Sequence, residues 1–367
     1  MRVLLAGGGS GGSATPLLAV AHVLRSRDPS TALLLIGTET GPEAALAAAD
    51  GIPFVSVPAG KLRRYWSLEN FTDPARVAMG VVRSLASVRQ FRPDVAFGAG
   101  GFASVPPLYA ARALGVPVHI HQQDVVPGLA NRLLAPIAAR ISLTFAGSLD
   151  HFPPSRSAVR GNPVRPSVLL GSAERAREKL GIAGDLPLVV ITGGGTGALG
   201  LNRLVSAALH LLDEHCEIAH LTGRGRAVPI QGTPRNYHSW ELLTDGMQDL
   251  LAAADVVVTR AGMGTLTELA ALRKAAIVIP MPDSHQEYNA RAAGEAGAGL
   301  VLDERAVTPE SFASTILALL GDADRRSELG AALSALLPPG SAERIADDLS
   351  ELASRRVGLP RQSLVRD

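Results

Sequence analysis

Three times along this chain a short apolar run closes in a cluster of glycines and a helical pattern follows. The runs are "RVLLAGGGSGGSATPLL" (residues 2–18), "PDVAFGAGG" (93–101) and "PLVVITGGGTGALG" (187–200). A strand that enters a glycine loop and then a helix presents free backbone N–H groups at the helix start. Those groups and the helix dipole favour an anion, most often a phosphate. Glycine lets that backbone come close to the ligand. One such loop is as readily a tight turn. Three of them, each at the carboxyl end of a strand, predict a phosphate-bearing ligand. Between the loops, strand and helix patterns alternate through "TALLLIG", "VPPLYAARALG", "PVHIHQ" and "GLANRLLAPIAARI". That alternation predicts a parallel sheet covered on both faces.

The pattern restarts in the second half with "EIAHLTG", "DVVVTRAGMGTLTELAAL" and "AAIVIPMP". A chain of 367 residues exceeds what one core usually supports. Two α/β domains are therefore expected, 1–162 and 163–340. The break falls at "RGNPVRPSV", where Gly and Pro interrupt the alternation. Residues 341–356 read as a helix that packs back on the first domain, and 357–367 as a flexible tail. Aromatics are 4% of the chain, so the cores must be built from Ala, Leu and Val. A net charge of +1 gives no general attraction to nucleic acid. One cysteine, Cys216, allows no internal disulfide and fits a reducing compartment. No signal peptide or apolar span of about 18 residues is visible. A soluble cytoplasmic protein is the expectation.

A dinucleotide-dependent dehydrogenase would want G-x-G-x-x-G and an acidic residue after the second strand. Glu39 could serve, but no catalytic pair for hydride transfer stands out. A P-loop nucleotidase would need Gly-Lys-Ser/Thr, which no loop contains. The segment "RAGMGTLTELAALRKAAIVIPMPDSHQEYNA" (260–290) is more informative. Arg260 leaves a strand, and Gly262 and Gly264 let a helix begin close to a ligand. Thr265 and Thr267 offer hydroxyls. Glu268 is placed to accept two ribose hydroxyls, or merely to complement the helix dipole. His285, Gln286 and Asn289 supply hydrogen bonds suited to a sugar.

Taken in order, "GGGSGG", "GKLRRYWSLENFTDP", "RPDVAFGAGGFASVPP", "HQQD", "GLANR", "GNPVR", "TGGGTGALGLN", "RAGMGTLTE" and "HQEYNA" resemble the MurG family of bacterial N-acetylglucosaminyltransferases. The resemblance runs from about residue 1 to residue 350. It implies the GT-B fold, two Rossmann-like domains whose parallel sheets face a central cleft. It implies inverting transfer of N-acetylglucosamine from UDP-N-acetylglucosamine to undecaprenyl-diphosphate-N-acetylmuramoyl-pentapeptide, with no cofactor and no metal. By the same resemblance Ser10, Gly11 and Gly12 lie near the diphosphates, and Gly100, Gly101 and Ser104 form a second acceptor-phosphate loop. Gly195 and Thr196 belong to the third loop. Arg165 reaches the donor, and Thr244 sits where the backbone reads uracil. Arg260, Gly262, Met263, Gly264, Thr265, Leu266, Thr267 and Glu268 hold diphosphate and ribose. Gln286 and Asn289 face the N-acetylglucosamine.

Departures from the family pattern fall on side chains and spare the glycines. Ser13 stands where the family has histidine, Gln122 where it has glutamate, Asp124 where it has asparagine, and Gly195 and Thr196 where it has Ser-Gln. A serine positions an acceptor hydroxyl but does not deprotonate it. Asp124 and His121 are the candidate bases, and either is equally readable as structural. Lys61, Arg63, Arg64 and Trp66 mix cations with an aromatic as membrane headgroups require. With the lipid-linked acceptor, they imply a peripheral protein on the cytoplasmic side of an anionic membrane. Other cell-wall synthesis proteins are implied partners. The competing readings are another GT-B lipid or natural-product glycosyltransferase, and a sugar-nucleotide-binding homologue with lost catalysis.

Overall fold

The computed structural model describes residues 1–357 apart from 9, 10, 40, 42, 59–68, 183–185, 196, 231, 233 and 244. The chain divides into two compact units, Met1–Pro163 with the chain from Gly340 onward, and Val164–Pro339.

Unit 1 is built on β1 (Arg2–Ala6), β2 (Ala32–Gly37), β3 (Phe54–Ser56), β4 (Val95–Gly98), β5 (Val118–Gln122), β6 (Arg140–Leu143) and β7 (Ser157–Val159). Every pairing is parallel, in the order β3-β2-β1-β4-β5-β6-β7. Its helices are α1 (Gly11–Arg27), α2 (Glu43–Ala49), α3 (Glu69–Phe91), α4 (Val105–Ala113) and α5 (Leu129–Leu134). The central strands are apolar on both faces because helices cover both. Val3, Leu5 and Phe97 enter the core beside α1, while Leu4, Ala6 and Ala96 enter the core beside α4.

Unit 2 repeats the design with β8 (Leu188–Thr192), β9 (Glu217–Leu221), β10 (Tyr237–Trp240), β11 (Val256–Thr259), β12 (Ala275–Val278) and β13 (Leu300–Val301). These are again all parallel, in the order β10-β9-β8-β11-β12-β13. Its helices are α6 (Ala173–Leu180), α7 (Leu199–Ala208), α8 (Met247–Ala253), α9 (Met263–Leu272), α10 (Gln286–Glu295), α11 (Pro309–Gly321) and α12 (Ala323–Leu336). Counted from its own first strand, each sheet begins 3-2-1-4-5-6. The order reverses between β1 and β4 in unit 1 and between β8 and β11 in unit 2, and ligands of such sheets bind at that reversal.

The last helix, α13 (Ser341–Val357), belongs to unit 1. Its buried Ile345, Ala346, Leu349, Leu352 and Ala353 share a core with α1. The same helix buries Asp348, which receives Arg140 Nη1 at 2.7 Å and Arg160 Nε at 2.9 Å. One carboxylate thus ties the helix to β6 and to the chain leaving β7.

Two sequence expectations need correction. The first helix starts at Gly11, inside the glycine cluster, and not after it. Pro16 lies in the second turn, where it removes one N–H from the ladder. "GLANRLLAPIAARI" is not one helix either. α5 stops at Leu134, a 3-10 turn covers Ala135–Ile137, and Arg140–Leu143 is β6. Pro136 cannot donate to a continuing helix, and Ile141 and Leu143 are better buried in the sheet.

Candidate functional site

In unit 1 the first two glycine loops leave neighbouring strands at the point of reversal, where Ala6 pairs with Gly98. Gly11 and Gly12 open α1, and Ser13 is 5% exposed in its first turn. Gly100 and Gly101 take φ of +84° and +78°, which L side chains rarely adopt. Ser104 is wholly buried, and its hydroxyl donates to the Gly101 carbonyl at 2.7 Å. Its role here is to close the loop. Ser10 lies outside the described residues, as do Thr196, Thr244 and the membrane set Lys61, Arg63, Arg64 and Trp66.

The loop after β5 is held against the second glycine loop, since Gln123 Nε2 donates to the Ala99 carbonyl at 2.9 Å. Buried Gln122 braces it from within. Its amide nitrogen donates to the Asp124 carbonyl at 2.8 Å, and its oxygen accepts from Asn131 Nδ2 at 2.7 Å. An amide suits this position because it donates and accepts at once, which a carboxylate does not. Asp124 is half-buried on the braced loop.

His121 is corrected as a candidate base. It is wholly buried inside the sheet, with Nε2 at 2.9 Å from Asn162 Oδ1 and Nδ1 at 3.0 Å from Ser142 Oγ. An amide oxygen only accepts, so Nε2 carries the proton and Nδ1 accepts from Ser142. Ser142 then accepts from His119 Nε2 at 3.0 Å. Burial pushes His121 down to about 4. Both ring nitrogens are committed to protein partners, so this is an in-sheet polar chain.

In unit 2 the third glycine loop and the 260–264 segment also leave neighbouring strands at the reversal, where Thr192 pairs with Thr259. Gly194 N–H is held by Thr192 Oγ1 at 3.1 Å, and Gly195 follows it in the loop. Both following helices begin without a side-chain cap, α7 at Ala198 and α9 at Gly262. Their first N–H groups, which like those of any helix have no intrahelical partner, are not taken up by an N-cap side chain, a condition that favours anion binding. A Cβ added at Gly262 or Gly264 would meet nothing within 4 Å among the described residues, and Gly262 has an ordinary φ of −80°. Protein packing does not require glycine there.

Several predicted ligand side chains are committed to the protein. Met263, Leu266 and Thr267 are buried, and the Thr267 hydroxyl donates back to Met263 O at 2.6 Å. In this turn Gly264 and Thr265 are only half-buried. Asn289 is 1% exposed and donates to the Ala261 carbonyl at 3.1 Å, which steadies the 260–262 turn. Gln286 Oε1 accepts from the Met281 N–H at 3.1 Å. Arg260 Nη1 donates to Ile279 O at 3.1 Å and Pro280 O at 3.0 Å, and pairs with Glu304. Glu304 also lies against Gly200 in α7, so the pair joins the two loops. Glu268 and Arg165 pair at 3.4 Å. Burial raises the Glu268 carboxyl above its usual range while Arg165 pulls it back.

Sequence reasoning missed Glu304, Asn162, Ser142 and Asn202. Asn202 is wholly buried and donates to Thr222 O and Arg226 O, both at 2.8 Å, behind the third loop. Isolated polar letters in helical or strand patterns carry no signal of this bracing. Among the described residues no helix is long and apolar enough to cross a membrane.

The chain matches the glycosyltransferase family 28 N-terminal domain over residues 3–143 and the family 28 C-terminal domain over residues 188–338. It is 36% identical to the UDP-N-acetylglucosamine–N-acetylmuramyl-(pentapeptide) pyrophosphoryl-undecaprenol N-acetylglucosamine transferase of Symbiobacterium thermophilum, covering 99% of this chain and 97% of that protein. Identity to the transferase of the same name from Desulforudis audaxviator is 35%, over 97% and 99%. Among solved structures it resembles Acinetobacter baumannii MurG, with a TM-score of 0.72, 26% identity, and 95% and 99% coverage. The kitacinnamycin glycotransferase superposes with a TM-score of 0.74 at 17% identity over 96% and 99%, a likeness of fold alone. With both family 28 domains in order and such relatives spanning nearly its whole length, the chain belongs to the MurG family of GT-B N-acetylglucosaminyltransferases.

Proposed function

We propose that the chain transfers N-acetylglucosamine from UDP-N-acetylglucosamine to undecaprenyl-diphosphate-N-acetylmuramoyl-pentapeptide, the step from lipid I to lipid II in peptidoglycan synthesis. The observation that carries the donor half is the pair of uncapped helix starts at the unit 2 reversal, with Glu268 in the second turn of α9. Two helix N-termini favour a diphosphate, and a partly buried carboxylate accepts ribose hydroxyls. Unit 1, with its own two glycine loops, takes the acceptor.

The chemistry is a single displacement. The acceptor hydroxyl attacks the anomeric carbon opposite the leaving UDP, its oxygen bonds to that carbon, and the bond to the diphosphate breaks with inversion. Negative charge grows on the diphosphate, where the N–H groups of α7 and α9 stabilise it more than in the ground state. The proton goes to Asp124, the base in this scheme. Ser13 positions the acceptor. Arg260 acts chiefly by holding the 260–264 turn to the end of β12 and to Glu304. Lys61, Arg63, Arg64 and Trp66 would seat the protein peripherally on the cytoplasmic side of an anionic membrane, among other cell-wall synthesis proteins.

Calorimetry tests the donor assignment. UDP should bind tighter than ADP or GDP, and Glu268→Ala should weaken UDP by about 1–3 kcal/mol through lost charge-assisted hydrogen bonds. Equal affinity for the three diphosphates contradicts it.

A further inference from the structure

Glu43 is a wholly buried carboxylate in the first turn of α2, and nothing above gives it a task. Its oxygens lie 3.3 and 3.4 Å from Thr38 Oγ1, at the end of β2. Two glycines enclose it. A Cβ at Gly8 would overlap Glu43 Oε1, and one at Gly41 would overlap Oε2. The contact continues beyond Gly8. A Cβ at Gly101 would overlap the Gly8 carbonyl oxygen and stand 3.3 Å from Ser13 Oγ. Gly41, the Glu43 carboxylate, Gly8 and Gly101 thus form one close-packed stack, with Ser13 at its far end. A buried carboxylate only accepts hydrogen bonds and is costly to leave unsolvated, so it fixes the backbone packed around it.

We infer that Glu43 is a positioning residue that sets the first glycine loop and, through the Gly8–Gly101 contact, the second. The inference rests on the reading of unit 1 as the acceptor half. Glu43 touches neither substrate and acts through the two loops. The donor loops belong to unit 2 and are not part of the stack.

The test compares wild type with Glu43→Gln, which keeps shape but removes charge, and Thr38→Ala, which keeps the carboxylate but removes its hydroxyl partner. If Glu43→Gln fails to fold, Thr38→Ala carries the test. Steady-state kinetics with a short-chain lipid I analogue should show acceptor kcat/KM lowered about 10- to 100-fold, the scale of a small misplacement of reacting groups. The KM for UDP-N-acetylglucosamine should be unchanged. An unchanged acceptor kcat/KM, or a raised KM for UDP-N-acetylglucosamine, overturns the inference. A second readout needs no activity. Backbone amide NMR of either variant should show shifts at Gly100 and Gly101 as well as at Gly8. Shifts confined to the chain around Thr38 and Gly41 overturn the coupling. If wild type transfers nothing, the functional reading fails while the NMR comparison still decides this inference.

Discussion

A carboxylate at position 124 and a hydroxyl at position 13 can do different things for an attacking alcohol. Of the two, only the carboxylate can accept the alcohol's proton as the new bond forms, and general-base help is typically worth about 10²–10⁴-fold in rate. Asp124→Asn should therefore lower kcat strongly at unchanged UDP affinity, while Ser13→Ala should raise the acceptor KM and largely spare kcat. Asp124→Asn also restores the residue usual in the family. If it preserves or raises kcat, the proton goes elsewhere. The sequence made these two positions legible because each breaks a recognisable loop motif. It concealed that His121 is sealed in the sheet, since "VHIHQ" reads alike whether its histidines face a ligand or a buried serine. It also hid the inward turn of Asn289 and Thr267, whose letters suit a sugar and a backbone carbonyl equally well.

At the scale of elements, the start of α9 makes the sharpest claim. Gly262 has a φ any residue adopts, and a Cβ there would meet no described atom. Gly262→Ala should leave the melting temperature nearly unchanged. It should weaken UDP binding by about 1–3 kcal/mol if the helix start meets the diphosphate, because a methyl holds an anion off its charge-assisted donors. Thermal melts beside calorimetry check this, and an unweakened variant would move the diphosphate elsewhere. The central strands were legible as uninterrupted apolar runs, the mark of a sheet covered on both faces. The edges were not. β3 and β10 are short and only partly buried, and β10 reads "YHSW", so neither apolar run nor alternation marks them. β6 was hidden behind the proline that ends α5.

For the whole molecule, both units carry histidines that folding keeps neutral. Burial lowers His119 and takes His121 to about 4 in unit 1, and takes His220 to about 4 in unit 2. Unfolded, each returns to about 6.5. The unfolded chain then binds more protons as pH falls below that value. Stability is whole above about pH 6.5 and is lost as pH falls toward about 4, each such histidine costing up to about 1.4 kcal/mol per pH unit. Urea midpoints should fall between about pH 7 and pH 5, and a flat profile would contradict this. That both units are doubly wound α/β folds was readable because the strand–glycine loop–helix pattern occurs in each half. The strand order that sets two glycine segments side by side in each was not, since pairing across a sheet leaves no local mark in a chain. The central claim is that the chain transfers N-acetylglucosamine from a UDP donor to a lipid-linked acceptor. It is tested most directly by incubating the wild-type protein with radiolabelled UDP-N-acetylglucosamine and a short-chain lipid I analogue. The account predicts label in the lipid product, one UDP released per sugar transferred, and an inverted anomeric configuration by NMR. Tight binding of UDP-N-acetylglucosamine with no label in the lipid would contradict it.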